Sequence, residues 1–334
     1  MTSASNNYYS GSAVNLTETS QVGTLINSGT IEGPDTYYNY GGNYSQGGIT
    51  NSGTLGTLKN ISSGVITGRT GVSNLGKIDL LENAGVISST TTNTSGYNYN
   101  NGAIYNSGTI NTMHNTGTIG NINTSTSYYN SGIFNTSSGI IKSLTNDGKI
   151  ASNYVGVYNL GQIDTLTNNG DISGNIVGIY NGNTNSNSTA ASTIINNGTV
   201  SGSYGFYATT YNSQTATTTL INNGTITGST QGVYITGSNG ASNAIINSGT
   251  ITGKGNAIFT NGTNGSALTI TNSGIIEGNI TSNNGAALEF IGGTDKQGVL
   301  TGVRTVSDDE TASSTDSIGT IASNSDVIFR SGSM

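Results

Sequence analysis

The sequence predicts an all-β chain that winds as a single-stranded parallel β-helix, or β-solenoid, of about ten coils. Three observations predict this fold. A short motif recurs about every 22–25 residues, or more where insertions intervene; every copy contains Asn-x-Gly except the one at 58–66, which has two extra residues; and glycine and β-branched residues are abundant. A period of this length with two or three short strands corresponds to one coil of a parallel β-solenoid. Glycine and β-branched residues are unfavourable inside helices, so helices are not expected.

The first motif reads aliphatic–x–Asn–x–Gly–x–aliphatic, as in Leu166–Ile172. Strand residues alternate between faces, so Leu166, Asn168 and Ile172 are predicted to point inward and Thr167 outward. Coils stack about 4.8 Å apart, and recurrent amides at that spacing are predicted to hydrogen-bond as a ladder. A ligand-binding row is the alternative. The glycine after the Asn is expected to supply the positive φ of a tight corner. The ladder residues are Asn27, Asn60, Asn83, Asn115, Asn146, Asn168, Asn196, Asn222, Asn247 and Asn272.

A second motif lies half a repeat earlier and reads small–[Ile/Val]–aromatic–Asn, as in "GVYN" at 156–159. The same alternation places Val157 inside and Tyr158 outside. Rings on successive coils either stack on one another or form an aromatic platform for sugars or a protein partner. The predicted external stripe comprises Tyr105, Phe134, Tyr158, Tyr180, Tyr207, Tyr234 and Phe259.

Three early insertions are rich in tyrosine together with Ser, Gly and Asn. Antibody binding loops have the same composition, so these insertions are candidate recognition surfaces. The alternative is that a solenoid tolerates polar loops at little cost. The candidate binding residues are Tyr37, Tyr38, Tyr40, Tyr44, Tyr97, Tyr99, Tyr128 and Tyr129.

Composition and charge exclude several function classes. The net charge is −7, and the nine Lys and Arg residues are scattered without a basic cluster. Binding to nucleic acid or to an anionic membrane surface is therefore not expected. No apolar run approaches the roughly 20 residues of a membrane helix, so no membrane insertion by this segment is expected. The absence of cysteine excludes disulfides and thiolate metal sites.

Catalytic residues, cofactors and metal ligands are not predicted. His114 is the sole histidine, and no nucleophile-elbow motif accompanies it. Paired carboxylates among Asp147, Asp164 and Asp171 keep a sugar-cleaving site open as a minor alternative. No basic row accompanies them to bind an acidic polysaccharide, so the chain is predicted to be non-enzymatic.

The chain divides into three predicted segments. Residues 1–20 are a cap or lead-in strand, residues 21–285 are the repeat, and residues 286–334 are irregular coils or a cap. The last boundary is placed where the motif ends and where seven of the sixteen acidic residues begin to accumulate. A solenoid needs its open end covered, which favours a cap there.

The repeated "INSGTI", "LTNNGDI" and "INNGTI" segments resemble the passenger domains of bacterial type V autotransporters, over about residues 20–285. The resemblance includes the adhesin and vacuolating-toxin-like passengers. It implies a right-handed parallel β-helix at the bacterial cell surface or in the extracellular medium, exported as part of a longer precursor. Such passengers are adhesins, aggregation factors or toxins, and some are proteases. No protease motif of the family is matched, so no catalytic residue follows from the resemblance.

These observations together predict a surface-exposed or secreted adhesin-like passenger that binds a cell-surface glycan or protein through its Tyr-rich loops. The main alternative is a stalk or filament subunit that self-associates through stacked β-coils, since exposed strand edges template pairing. A polysaccharide-active β-helix and a toxin are the remaining alternatives.

Overall fold

The computed structural model describes residues 11–34, 47–90, 101–121, 130–183, 191–210, 217–237, 243–262, 267–283, 285–293, 296–303 and 318–330. Across these ranges the chain forms 31 β-strands and no helix. The predicted all-β parallel solenoid is confirmed. The chain divides into two compact units, Met1–Tyr180 and Asn181–Met334.

The first unit has three strands in each coil. In chain order these are β1 Val14–Leu16, β2 Gln21–Asn27, β3 Thr30–Glu32, β4 Gly47–Asn51, β5 Thr54–Asn60, β6 Val65–Thr67, β7 Thr70–Asn74, β8 Lys77–Asn83, β9 Val86–Ser89, β10 Asn101–Asn106, β11 Thr109–Asn115, β12 Thr118–Asn121, β13 Asn130–Asn135, β14 Ile140–Asn146, β15 Lys149–Ser152, β16 Val155–Asn159, β17 Gln162–Asn168 and β18 Asp171–Gly174. Strand β19, Val177–Asn183, crosses the boundary between the units.

Each strand of the first unit pairs in parallel with the strand three positions further along the chain. The pairing forms three faces: β1–β4–β7–β10–β13–β16, β2–β5–β8–β11–β14–β17 and β3–β6–β9–β12–β15–β18. We call them faces A, B and C. Parallel neighbours in identical register place equivalent residues of successive coils directly above one another.

The second unit mostly has two strands in each coil. In chain order these are β20 Ser192–Asn196, β21 Thr199–Thr210, β22 Thr218–Asn222, β23 Thr225–Gly237, β24 Asn243–Asn247, β25 Thr250–Asn261, β26 Leu268–Asn272, β27 Ile275–Asn283, β28 Leu288–Gly292, β29 Val299–Thr301, β30 Ile321–Ser323 and β31 Val327–Phe329. The short strands pair as β20–β22–β24–β26–β28–β31. The long strands pair as β21–β23–β25–β27, and β29 and β30 both pair with β27.

The long strands of the second unit join the equivalents of faces C and A into one strand. A register shift between Gly202 and Tyr204 marks the point where the two faces meet. The predicted terminal segment after residue 285 continues the same parallel register, because β28 pairs with β26 and β31 pairs with β28.

The core consists of aliphatic columns that point inward from every face. Leu166, Asn168 and Ile172 are fully or almost fully buried, while Thr167 is only half-buried. The predicted alternation is therefore confirmed. Each buried Leu or Ile stabilises the folded chain by roughly 1.5–3 kcal/mol relative to an exposed one.

Faces A and C approach closely through a column of glycines. A Cβ at Gly132 would lie 2.6 Å from Ile150 Cγ2, and a Cβ at Gly156 would lie 2.8 Å from Ile172 Cγ2. The same column contains Ala103, which is fully buried. The small residue of the second motif is thus required because the isoleucine of face C occupies the space that a larger side chain would need.

The expected role of the glycine in the Asn-x-Gly corner is wrong. The positive-φ glycines among the described residues are Gly68, Gly278 and Gly285, and none belongs to the motif. At the motif positions a Cβ would instead collide with the carbonyl oxygen of the corner in the preceding coil, at 2.2 Å for Gly148 and 2.1 Å for Gly224. Glycine is needed there for close stacking of corners, not for an unusual backbone conformation.

Candidate functional site

The predicted asparagine ladder forms a continuous row of side-chain hydrogen bonds in each unit. In the first unit each Nδ2 donates to the Oδ1 of the next ladder residue, over 2.7–2.9 Å, from Asn27 to Asn168. In the second unit Asn196, Asn222, Asn247 and Asn272 continue the pattern at 2.8 Å. The amides also donate to backbone carbonyls, as Asn115 does to Gly117. Because these amides are buried and bonded to one another, the row is structural and not a ligand site.

A second ladder, which sequence reasoning missed, runs along face A. Asn51, Asn74, Asn106, Asn135 and Asn159 are linked by Nδ2–Oδ1 hydrogen bonds of 2.7–2.8 Å. Among the described residues, the Oδ1 of Asn51 is buried without a hydrogen-bond partner, because Leu16 occupies the equivalent position in the preceding coil. The signal was present in the recurrent Asn that ends the aromatic motif.

In the first unit the aromatic stripe is packed and mostly covered. Ring centroids lie 5.7 Å apart for Tyr105–Phe134, 5.3 Å for Phe134–Tyr158 and 4.7 Å for Tyr158–Tyr180. The interplanar angles of 41–83° bring ring edges against ring faces, which the aromatic quadrupole favours. Tyr105, Phe134 and Tyr180 are only 8%, 2% and 9% exposed.

The prediction of an external position is therefore wrong for Tyr105, Phe134 and Tyr180, whereas Tyr158 is half-buried. The outward positions of earlier coils on the same face, Thr50 and Ser73, are also buried, so the covering extends along face A. Alternation along a strand indicates which side a residue points to. It does not indicate whether that side meets water, since this depends on what lies across it.

In the second unit the rings form a half-exposed cluster. Tyr207, Tyr234 and Phe259 are in register on successive coils, with centroids 4.6 Å and 5.3 Å apart. Tyr204, which the motif did not include, lies 5.8 Å from Tyr207 and 5.7 Å from Tyr234. All four side chains are intermediate in exposure. We call Tyr204, Tyr207, Tyr234 and Phe259 the ring cluster.

Uncharged polar columns flank the ring cluster on both sides. Gln231, Asn256 and Asn279 are in register on one side, and Thr236, Asn261 and Asn283 on the other. Gln231 is the register partner of Tyr204, and its Oε1 is buried without a hydrogen-bond partner in the part of the chain that the structure describes. Thr281 Oγ1 donates to Asn256 Oδ1 over 2.7 Å. The rings and these two columns combine aromatic edges with amide and hydroxyl groups, and the columns themselves contain no charged residue. The charged residues of β25 and β27, Lys254 and Glu277, lie two positions before Asn256 and Asn279.

The carboxylates proposed for sugar cleavage are engaged in surface contacts. His114 Nε2 and Asp147 Oδ2 lie 2.6 Å apart, and Asn169 Nδ2 donates to Asp147 Oδ1 over 2.6 Å. Gln162 donates to Asp164, and Asp171 is the register partner of Lys149. Hydrogen bonds from Asn169 and then from His114 hold the pKa of the Asp147 carboxyl below its ordinary value of 3.8.

The lowered pKa of Asp147 has a measurable consequence. A depressed carboxyl pKa stabilises the fold above pH 3.8, and this contribution is lost as the pH falls through the lower folded-state value. We expect Asn169→Ala to raise the pKa of Asp147 more than His114→Ala does, in an NMR titration of the side-chain carboxyl carbon. Asn223→Ala, whose amide bonds Asn197 instead, is the control. An unchanged pKa in Asn169→Ala would contradict this assignment.

The tyrosines proposed as recognition residues lie outside the described residues. They are Tyr37, Tyr38, Tyr40, Tyr44, Tyr97, Tyr99, Tyr128 and Tyr129. Their role stays a prediction.

Comparison with protein-family models, with curated proteins and with solved structures finds no match to this chain. In the described ranges, no group of three or more His, Cys, Asp or Glu side chains is arranged to hold a metal ion. The same ranges contain no helix with the length and apolar character to cross a membrane.

Proposed function

We propose that this chain is a non-enzymatic, adhesin-like passenger of the type V autotransporter kind that binds an uncharged cell-surface glycan through the ring cluster of its second unit. The observation that carries the proposal is the half-exposed cluster of four aromatic rings between two columns of amides and hydroxyls. Aromatic rings contact the apolar faces and edges of sugars, and neighbouring polar groups set their orientation by hydrogen bonding. The resemblance to autotransporter passengers supports display at the cell surface.

The absence of charged residues from the two flanking columns favours a neutral ligand. Gln231 and Asn256 supply amide groups, and Tyr204, Tyr207 and Tyr234 supply hydroxyls that both donate and accept. An acidic polysaccharide would require basic partners, and the flanking columns contain none.

Asp147 does not fit the role of the general acid in sugar cleavage. A general acid in a glycosidase needs a raised pKa so that it carries a proton at neutral pH. The pKa of Asp147 is instead lowered, and its two oxygens are already engaged by His114 and Asn169. The contacts and the lowered pKa of Asp147 therefore favour a binding function for the chain over hydrolysis of a sugar.

Binding of purified protein to a glycan array and to whole cells tests the proposal. We expect Tyr234→Ala to reduce affinity for the selected glycan at least about tenfold, because this ring contacts Tyr204, Tyr207 and Phe259. Tyr234→Phe keeps the ring and should retain most of the affinity. Tyr158→Ala is the matched control in the first unit.

Thermal melting of each variant separates lost binding from lost folding. Equal binding by the wild type and a folded Tyr234→Ala variant would overturn the assignment of the ring cluster. Binding to cells stripped of glycans would indicate a protein receptor instead.

A further inference from the structure

A row of isoleucines runs along the outer face of the short-strand sheet in the second unit. Parallel register aligns one outward position of β20, β22, β24, β26 and β28. Ile246 is 41% exposed, and the other members are half-buried. We call this set the isoleucine row; its members are Ile195, Ile221, Ile246, Thr271 and Ile291.

The fold does not require apolar residues at this position. The equivalent outward position on face B of the first unit holds Ile26, Lys59, Glu82, His114, Thr145 and Thr167. Lys59 and Glu82 form an ion pair there at 2.9 Å. The same site in the coil is thus polar from the second coil of the first unit onward, whereas it holds isoleucine in four of the five aligned coils of the second unit. An exposed apolar row on one unit alone indicates an interaction surface.

The column beside the isoleucine row carries a single charge and ends on a further exposed isoleucine. It contains Thr193, Thr219, Ala244, Thr269, Glu289 and Ile328. Glu289, the one charged member, pairs with Arg330, and Ile328 is 37% exposed. From coil spacing and strand geometry, the five coils of the isoleucine row and this column cover a flat strip about 19 Å long and 13 Å wide.

We propose that the isoleucine row docks side by side against the same row of a second copy of this chain. The row repeats at the coil spacing, so only a partner surface with the same repeat can interdigitate with it over several coils. A second copy presents that repeat, and a two-fold arrangement places each row on its equivalent. Branched side chains at this spacing interlock in dry interfaces between paired sheets.

The size of the strip predicts a weak interaction. It offers roughly 250 Å² per copy, against the about 800 Å² per partner of a standard stable interface. The association should therefore depend on concentration and strengthen when many copies are held on one surface, as linked binding sites do. Since the contact is apolar, it should persist at high salt. The row lies on the short strands and the ring cluster on the long strands, so this proposal does not depend on glycan binding.

Sedimentation equilibrium over a wide concentration range tests the proposal. We expect the wild type to form dimers at high concentration and Ile221→Lys to raise the dimer dissociation constant at least about tenfold. Thr145→Lys adds the same charge at the equivalent position of the first unit and should leave the dissociation constant unchanged. Thr271→Ile fills the one polar gap in the row and should lower it.

Three results would overturn the proposal. The first is a wild-type protein that stays monomeric at every concentration. The second is a Thr271→Ile variant that associates no more strongly than the wild type, a result that does not depend on whether Ile221→Lys folds. The third is equal weakening by Ile221→Lys and Thr145→Lys, which would show that a different surface mediates the contact.

Discussion

Asn222→Asp is expected to destabilise the second unit by about 3–5 kcal/mol at neutral pH, although the two side chains have nearly the same shape. Asn222 Nδ2 donates to Asn247 Oδ1 at 2.8 Å, to Thr250 O at 3.0 Å and to Gly224 O at 3.2 Å. A carboxylate cannot donate, so its oxygen would face three acceptors in a site with no exposure. Urea unfolding of the variant and the wild type measures the loss.

The loss in Asn222→Asp should depend on pH. Burial raises the folded-state pKa of the introduced carboxyl above its unfolded value of about 3.9. The unfolded chain then loses its proton first as the pH rises, so the variant's stability falls by about 1.4 kcal/mol per pH unit above pH 4, until the folded-state pKa is reached.

The adjacent residue is a matched control for the ladder. Asn223 is exposed, and its amide bonds Asn197 on the surface. Asn223→Asp introduces the same charge one position away, and it should cost little because water can solvate the carboxylate. Similar unfolding midpoints for Asn222→Asp and Asn223→Asp would contradict the role assigned to the ladder.

Gly132→Val is expected to destabilise the first unit by about 3 kcal/mol or more. The added Cβ would lie 2.6 Å from Ile150 Cγ2 and 2.7 Å from the carbonyl oxygen of Gly156, so faces A and C must move apart. Overpacking of a filled core costs about 1–3 kcal/mol in typical cases, and here a backbone atom is one of the obstacles. Thermal and urea unfolding measure the loss.

A graded series identifies the cause. Gly132→Ala should cost less than Gly132→Val, because Ala103 occupies the same column one coil earlier. Combining Gly132→Val with Ile150→Ala should restore part of the stability, and the double-mutant cycle should show a favourable coupling. Additive losses would mean that the contact with Ile150 is not responsible.

Most of the buried framework was predictable from the sequence, because each element repeats. The ladder residues recur in one motif, and parity assigns Leu166 and Asn168 to the interior without further information. The second ladder was as regular as the first, with Asn106, Asn135 and Asn159 each following an aromatic residue. The alternation that places Tyr158 outward places Asn159 inward, so this ladder was predictable in the same way.

Other features were not predictable, because they depend on contacts between separate segments. The corner glycines recur in the sequence, yet a recurrent glycine fits either a positive φ or a close contact. Only the positions of Gly117 and Gly148 in consecutive corners show that it is the contact. Tyr204 lies outside the repeated motif, and it joins the ring cluster because neighbouring strands place it beside Tyr207 and Tyr234.

Period and alternation are local properties of the chain, so they are enough to predict a parallel β-solenoid and to predict which residues point inward. Which outward rows meet solvent is evident from the tertiary structure alone. Phe134 and Tyr234 occupy the same place in the motif, yet Phe134 is buried and Tyr234 is half-exposed. The physical reason is that exposure depends on what packs across a face, and alternation within a strand contains no information about that.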